Sequence, residues 1–408
     1  MRLDCDFHIH GRYSGATSKK MNLDVISKQA MLKGLDVVGT GDALHRGWLR
    51  ELQGLDKYSE GVYEKNGCRF VVTLEVEDAR RVHHLIFLPG ISAAQGLRET
   101  LGRHSEDMDK DGRPHLRLTG EEIVDHVMEV DGVLGPSHAF VPWTSIYKEY
   151  DSLRECYGDN AHRISFLELG LSADTELADY IAELKDITLL SNSDAHSPWP
   201  HRLGREFNRL QVRDLTYGDI ARALRPGGDS ARVVLNVGLD PRLGKYHRTA
   251  CIRCYAIYDY EEAQRLRWRC PQCRGMLKKG VRDRIRELSS YPRPHHPGHR
   301  PPYVRIAPLA EILCLALGVK SLYSPRVQGE WKKLVEAFGS EIAVLIDADT
   351  EEIKKVSGER VGNLIRRYRE GDFSIVHGGG GRYGRIVFSP SQNAEKKRTV
   401  QGVLDQFG

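Results

Sequence analysis

Between His8 and His196 the chain repeats one arrangement, in which a short β-like run ends at or just before a histidine or a carboxylate. Leu3 to His8 leads into His8-Ile9-His10, Asp36 to Gly39 precedes Asp42, and Phe70 to Glu75 ends on Glu75 itself. Gly132 to Gly135 precedes His138, Ile164 to Leu169 holds Glu168, and Ile187 to Leu190 runs into Ser191-Asn-Ser-Asp194-Ala-His196. Donors this far apart in sequence meet only if the strands lie side by side and end on one rim. The segments between them carry helix signals. Asn22 is placed to cap a helix to Lys33, with Gly34 as its stop. Thr119 and Glu122 form a capping-box pattern, and a further helix is expected near Asp174 to Lys185. Alternating strands and helices predict an α/β chain with parallel pairing. About seven such units predict a barrel whose C-terminal strand ends carry the site.

The donor types narrow the chemistry. His8/His10 and Asp194/His196 are i, i+2 pairs, and period-two alternation puts both members on one face of an extended segment. Imidazole mixed with carboxylate suits Zn, Mn or Fe better than Ca or Mg, which prefer all-oxygen cages. Asp42, Glu75 and Asp194, with His8, His10, His83, His138 and His196, are too many donors for one tetrahedral ion. The expected cofactor is two or three divalent ions (Zn, Mn, Fe or Mg). Such a cluster makes hydroxide near neutral pH and stabilises charge during phosphate ester hydrolysis. Glu168 and His45 are further candidate ligands.

The rest of the chain points toward nucleic acid. Cys251-x2-Cys254-x15-Cys270-x2-Cys273 has the spacing of a closed structural zinc site. Cys5, Cys68, Cys156 and Cys314 are isolated, as expected in a reducing compartment. From Arg265 to Arg305, 12 Lys/Arg face only Asp283 and Glu287, enough to neutralise phosphates. Trp268, Tyr291 and Tyr303 are interleaved and could stack on bases. Tyr291 to Pro302 reads as extended, and the stretch after it as mainly helical, with helices near 309–317, 330–338, 349–356 and 358–370. The glycine run 378–381 would let backbone approach a phosphate, or form a plain turn. Gln401, Leu404 and Phe407 match Gln-x-x-Leu-x-x-aromatic, which resembles the motif by which repair proteins dock on the sliding clamp. The expected division is 1–244 for the barrel, 245–302 for the zinc module with its basic linker, 303–388 for the helical domain and 389–408 for a tail. No apolar run approaches 18 residues and the N-terminus lacks a signal-like segment, so a cytoplasmic, nucleoid-associated protein without membrane contact is expected.

Taken in order, His8-x-His10, Thr40-Gly-Asp42, Leu74-Glu75, Val82-His83-His84-Leu85, Ser137-His138 and Ser193-Asp194-Ala-His196 resemble the motifs of the PHP (polymerase and histidinol phosphatase) superfamily. The resemblance implies a distorted (β/α)7 barrel and a trinuclear phosphoesterase site. His8, His10, Glu75 and Asp194 would be its catalytic core and hold one pair of ions, with Asp42, His83, His138 and His196 completing it. Many members have Thr-Asp-His where this chain has Gly41-Asp42-Ala43, so that adjacent histidine is missing. With the cysteine quartet and the tail, the whole chain resembles the endonuclease Q family of repair nucleases. That implies a nick 5′ to a deaminated base (uracil, hypoxanthine, xanthine) or an abasic site, leaving 3′-hydroxyl and 5′-phosphate ends. Tyr13, Trp48, Trp143 and Trp199 are candidates for the pocket that receives the damaged nucleotide. The alternatives are a small-molecule PHP phosphomonoesterase, which leaves the zinc module and tail without a purpose, and a non-catalytic DNA-binding scaffold, against which the full ligand set argues.

Overall fold

Local signals in the sequence build the first units directly. The Asn22 side chain accepts from the Val25 N–H at 3.1 Å, opening the helix Leu23–Lys33, and Gly34 ends it in the left-handed region at φ 97°. The Thr119/Glu122 capping box forms as expected and opens the helix Gly120–Met128. The structure is a computed structural model that describes residues 1–228 and 230–388. The clamp-like residues Gln401, Leu404 and Phe407 lie outside the described residues.

Seven strands make a ring: β1 (Arg2–Asp6), β2 (Val37–Gly39), β3 (Cys68–Glu77), β4 (His83–Leu88), β5 (Val133–Pro136), β6 (Phe166–Glu168) and β7 (Thr188–Leu190). β1, β2 and β3 pair parallel, as do β6 and β7. Two joints are closed by loop bonds in place of strand ladders. Ala139 N–H donates to Glu168 O at 2.8 Å between β5 and β6. A parallel bridge from Ile9 to Ala195 links β7 back to β1. The barrel is therefore distorted. Leu3, Cys5, Phe7, Val37, Val71, Leu85, Phe87, Phe166 and Leu190 fill its interior as one buried cluster, with Val133 packed against it. Phe87 sits edge-on between Phe7 and Phe166, with centroids 5.2 and 5.3 Å away.

The expectation of parallel pairing throughout needs correction at β4, which runs antiparallel to both β3 and β5. Only residues 78–82 separate it from β3, far short of the dozen or more that a parallel crossover requires. Asp78 closes that hairpin, its Oδ1 accepting from the N–H groups of Arg80 and Val82 at 2.8 Å each. The reversal starts β4 at the rim where β3 ends, which brings His83 to Glu75. The helix expected over 174–185 also differs: it is a short turn, Thr175–Ala178, and a 3-10 segment, Ala182–Asp186. Between them the Asp179 carboxylate is taken by Arg300 at 2.9 Å and His296 at 2.6 Å.

Beyond the ring, β8 (Phe207–Gln211) pairs antiparallel with β1, β9 (Arg232–Gly238) antiparallel with β8, and β10 (Tyr303–Arg305) parallel with β9. Tyr303 is thus a sheet residue and not an exposed stacking platform. Much of the basic stretch is also spent internally. Arg300 is buried on Asp179, Arg305 pairs with Asp174, Arg284 with Asp151 and Lys279 with Glu287. The helices Leu309–Leu317, Pro325–Phe338, Thr350–Ser357 and Glu359–Arg369 follow, close to the expected positions. No helix among the described residues is long and apolar enough to cross a membrane.

Candidate metal centre

Glu75 is the hub of the rim. Its Oε1 lies 3.5 Å from His8 Nε2 and 3.1 Å from both His83 Nδ1 and His138 Nε2. Its Oε2 lies 3.5 Å from His10 Nε2 and 3.2 Å from the Arg113 guanidinium. Asp194 forms the second focus, with its Oδ1 3.2 Å from His10 Nε2, 3.4 Å from His196 Nε2 and 3.8 Å from His8 Nε2. Three donor groups result: His8–His10–Glu75, His10–Asp194–His196 and Glu75–His83–His138. They share His10 and Glu75: the two carboxylate oxygens of Glu75 would serve two neighbouring ions, whereas His10, with its Nδ1 on Asp42, offers one Nε2 lone pair and would serve one. The side chains of Asp194 and His196 are 33% and 34% exposed, while those of His8, His10 and Glu75 are buried, so the centre opens on the Asp194 side.

A cation fits this arrangement. His8 Nε2, His10 Nε2 and Asp194 Oδ1 are buried atoms without a hydrogen-bond partner, and all three converge on one space. A buried polar atom is seldom left unpaired without a reason. The far side of three of the imidazoles is held. His8 Nδ1 faces Glu168 at 2.9 Å, His10 Nδ1 faces Asp42 at 3.1 Å and His196 Nδ1 faces Thr17 Oγ1 at 2.7 Å. A proton on each Nδ1 leaves the Nε2 lone pair pointing inward, the carboxylate–histidine arrangement of metal sites. Asp42 and Glu168 therefore stand behind the histidines and do not join the three donor groups. Asp42 also accepts from Gly11 N–H at 2.7 Å and Ser14 Oγ at 2.9 Å, while Glu168 accepts from His138 N–H at 2.8 Å and Asn192 at 3.0 Å. A Cβ on Gly112 would lie 2.2 Å from Asp42 Oδ2, so only glycine fits there.

Burial alone would raise the Glu75 carboxyl, but His83 and His8 pull it well below the usual range. Asp194 is lowered in the same way, with His10 and His196 outweighing its burial. Against its own burial, His8 is raised well above the normal imidazole value by Glu168 and Glu75, and His10 to about 9 by Asp194 and Asp42. This is the field of a cation site, where protons and metal compete. The backbone is strained at the same points. Asp42, His138 and Asp194 have φ of 48°, 30° and 47°, a region that costs non-glycine residues about 1–3 kcal/mol and is kept at functional sites.

Other candidates fall elsewhere. His45 caps the helix Arg46–Leu52 through Nδ1, and its Nε2 lies 3.0 Å from Asp109 O, so both ring nitrogens are used. Trp48 is fully buried with Nε1 on Thr40 O, and Tyr13 stacks on His45 at 4.2 Å. Trp199 packs under Lys20, and Trp143 is exposed beneath Lys278 Nζ at 3.9 Å. His84 turns away from the rim, bonding Tyr157 OH at 2.8 Å and Asp78 at 3.2 Å. Sequence reasoning missed Arg113. It lies in the loop Asp111-Gly-Arg-Pro114, where no motif marks it.

The four cysteines converge separately. Cys251 Sγ is 3.4 Å from Cys273 Sγ, and Cys254 Sγ is 3.6 Å from Cys270 Sγ. Cys251/Cys254 and Cys270/Cys273 each lie in a tight knuckle of the same kind. Cys251 N–H donates to Ala256 O and Cys270 N–H to Gly275 O, with Tyr255 and Arg274 left-handed at φ 63° and 59°. Two matched knuckles with four mutually close sulfurs fit one zinc ion.

Fold and rim together make a distorted α/β barrel with a candidate metal centre on one rim, the arrangement that the PHP-like motifs of the sequence imply. A family model described as the MJ0043 C-terminal domain matches residues 308–372. The uncharacterized protein MJ0043 of Methanocaldococcus jannaschii is 44% identical over 266 residues, 64% of this chain, and the match spans a third (33%) of that protein's length. The crystal structure of the lesion-specific endonuclease PfuEndoQ from Pyrococcus furiosus is 51% identical, covering 95% of this chain and 96% of that one, with a TM-score of 0.89. Endonuclease Q in complex with a 27-mer duplex carrying an abasic lesion at its active site is 50% identical over 95% of this chain and 97% of that one, with a TM-score of 0.91. The chain belongs to the endonuclease Q family.

Proposed function

We propose that this protein is a DNA repair endonuclease that nicks the phosphodiester 5′ to a deaminated base (uracil, hypoxanthine or xanthine) or an abasic site, leaving 3′-hydroxyl and 5′-phosphate ends. One observation carries the reading: three overlapping donor groups share one half-open rim, in a chain 50% identical to an endonuclease Q solved on abasic duplex. The three donor groups would hold divalent ions, which would lower the pKa of a nucleophilic water toward neutral and offset charge on the phosphoryl group. The chain's own residues do the rest. Glu75 joins two donor groups, His10 lies between the core and the half-buried Asp194 and His196, and Glu168 and Asp42 fix the imidazoles of His8 and His10. Arg113, partly exposed beside Glu75, is a fixed cation for a non-bridging phosphate oxygen. DNA contact falls to the zinc module, where Arg265, Arg267, Arg269 and Arg274 face solvent, and to the exposed Trp143 nearby. A weakly paired lesion is cheap to extrude, which favours damaged over intact pairs.

The test is a labelled duplex with one deoxyuridine, deoxyinosine or abasic site, incubated with the protein and Mg²⁺, Mn²⁺ or Zn²⁺. A single nick 5′ to the lesion, absent from undamaged duplex, is expected. Equal survival of both duplexes, with hydrolysis of a simple phosphomonoester instead, would reject the reading in favour of a metabolite phosphatase. We also propose that Gln401, Leu404 and Phe407 dock on a sliding clamp. A chain ending at residue 400 should nick as well as the full chain but no longer co-elute with the clamp, and retained co-elution would reject the docking.

A further inference from the structure

The loop from Ser191 to Arg205 carries Asp194 and His196, the open half of the centre. Its first arm is tied to the barrel. Ser193 donates through N–H and Oγ to Asp6 at 3.0 and 2.5 Å, Gly204 N–H reaches the same carboxylate at 2.8 Å, and the Arg205 guanidinium donates back to Ser193 O at 3.0 and 3.1 Å. Its outer arm is tied to a distant part of the chain. Lys33, the last residue of the first barrel helix, donates through Nζ to Pro200 O at 2.9 Å and to Glu341 Oε1 at 2.7 Å. Both charged side chains are fully buried. Glu341 also accepts from Leu309 N–H at 3.2 Å and from Trp331 Nε1 at 2.5 Å, so it gathers two helices of the C-terminal region onto the lysine. Next along the loop, His201 Nε2 meets Tyr323 OH at 3.1 Å.

A buried ion pair is a poor way to gain stability, because two well-packed apolar side chains serve as well or better. What it supplies is direction. The Lys33 ammonium must point where Glu341 and the Pro200 carbonyl both lie, and this fixes Pro200 four residues beyond His196. We infer that the C-terminal helical region positions the metal loop: Glu341, through Lys33, and Tyr323, through His201, hold the Asp194–His196 segment so that the His10–Asp194–His196 group closes on its ion. These are positioning residues, since none touches the donors. The inference rests on the metal reading of the rim but not on what the enzyme cuts.

Full-length Lys33→Met, Glu341→Gln and Tyr323→Phe proteins, stripped of rim metal, are titrated with Mn²⁺ alone, and bound metal is counted per chain alongside the cysteine-bound zinc. Loss of groups that hydrogen-bond a metal's ligands weakens binding by roughly 10–100-fold, and these residues act one link further back, so the expected loss is about tenfold. Lys33→Met and Glu341→Gln should weaken one Mn²⁺ by about that factor, with a smaller effect for Tyr323→Phe, while the remaining Mn²⁺ and the zinc are unchanged. An unchanged Mn²⁺ isotherm in soluble, folded variants overturns the inference, and so does an equal loss of every ion. Should the buried-pair variants fail to fold, Tyr323→Phe decides alone, because it removes one hydroxyl from a side chain that is 64% exposed. A wild-type rim that binds no Mn²⁺ refutes the metal reading itself, a separate result.

Discussion

Glu75→Gln should all but abolish nicking at a deoxyuridine, lowering the single-turnover rate by about 10²–10³-fold, the scale for removing one preorganised electrostatic group. The substitution keeps shape and volume but removes the charge that faces His8, His10, His83, His138 and Arg113. It takes a donor from two of the three groups at once. A glutamine amide also offers N–H groups to buried imidazole nitrogens that are poised to face a cation. Bound Mn²⁺ should therefore fall by more than one equivalent, where Asp194→Asn, at the edge of the centre, should remove one. Rate measurement under excess enzyme, paired with metal analysis, checks both. A Glu75→Gln protein that nicks within tenfold of wild type would remove Glu75 from the centre.

Cys270→Ser should empty the zinc site and unfold the module while leaving the rim loaded. Structural zinc binding in such folds contributes on the order of 10 kcal/mol, and here little else supports the knuckles. The module's own apolar cluster is only Cys251, Tyr258, Ala263, Cys270 and Leu277, with a few side chains packed around it. Limited proteolysis should cut between residues 250 and 280 in the variant and not in the wild type. Affinity for lesion-bearing duplex should drop, because the solvent-facing arginines of the module lose their fixed placement. Full DNA affinity in a zinc-free, protease-sensitive protein would mean that the module is a scaffold without a DNA role.

The two sites were legible to different depths for a physical reason. The cysteine quartet is local: both knuckles lie within 23 residues, so spacing alone specifies the geometry. The rim donors are far apart, yet each falls at a strand end, and strand ends in a barrel share one face. That was enough to gather His8, His10, Glu75, His138, Asp194 and His196, while His83, at the start of its strand, joined them only through the order of the PHP-like motifs. It was not enough to rank them. Asp42 and Glu168 carry the same signal as Glu75, but the register turns their carboxylates behind His10 and His8. His45, adjacent to that motif, is spent on a helix cap.

By itself, then, the sequence determined the main barrel strands, the capped helices between them, the candidate donors and the cysteine module, because these follow from periodicity, capping and short-range spacing. Only the tertiary structure decided the reversal of β4, the placement of Arg113 beside Glu75 and the use of Arg284, Arg300 and Arg305 as internal ties rather than free cations. It also joined Lys33 to Glu341, two residues 308 positions apart in sequence. Charge type and position along a chain say which residues seek a partner. Which partner each one finds is set by chain packing, where a buried charge without one is too costly to persist.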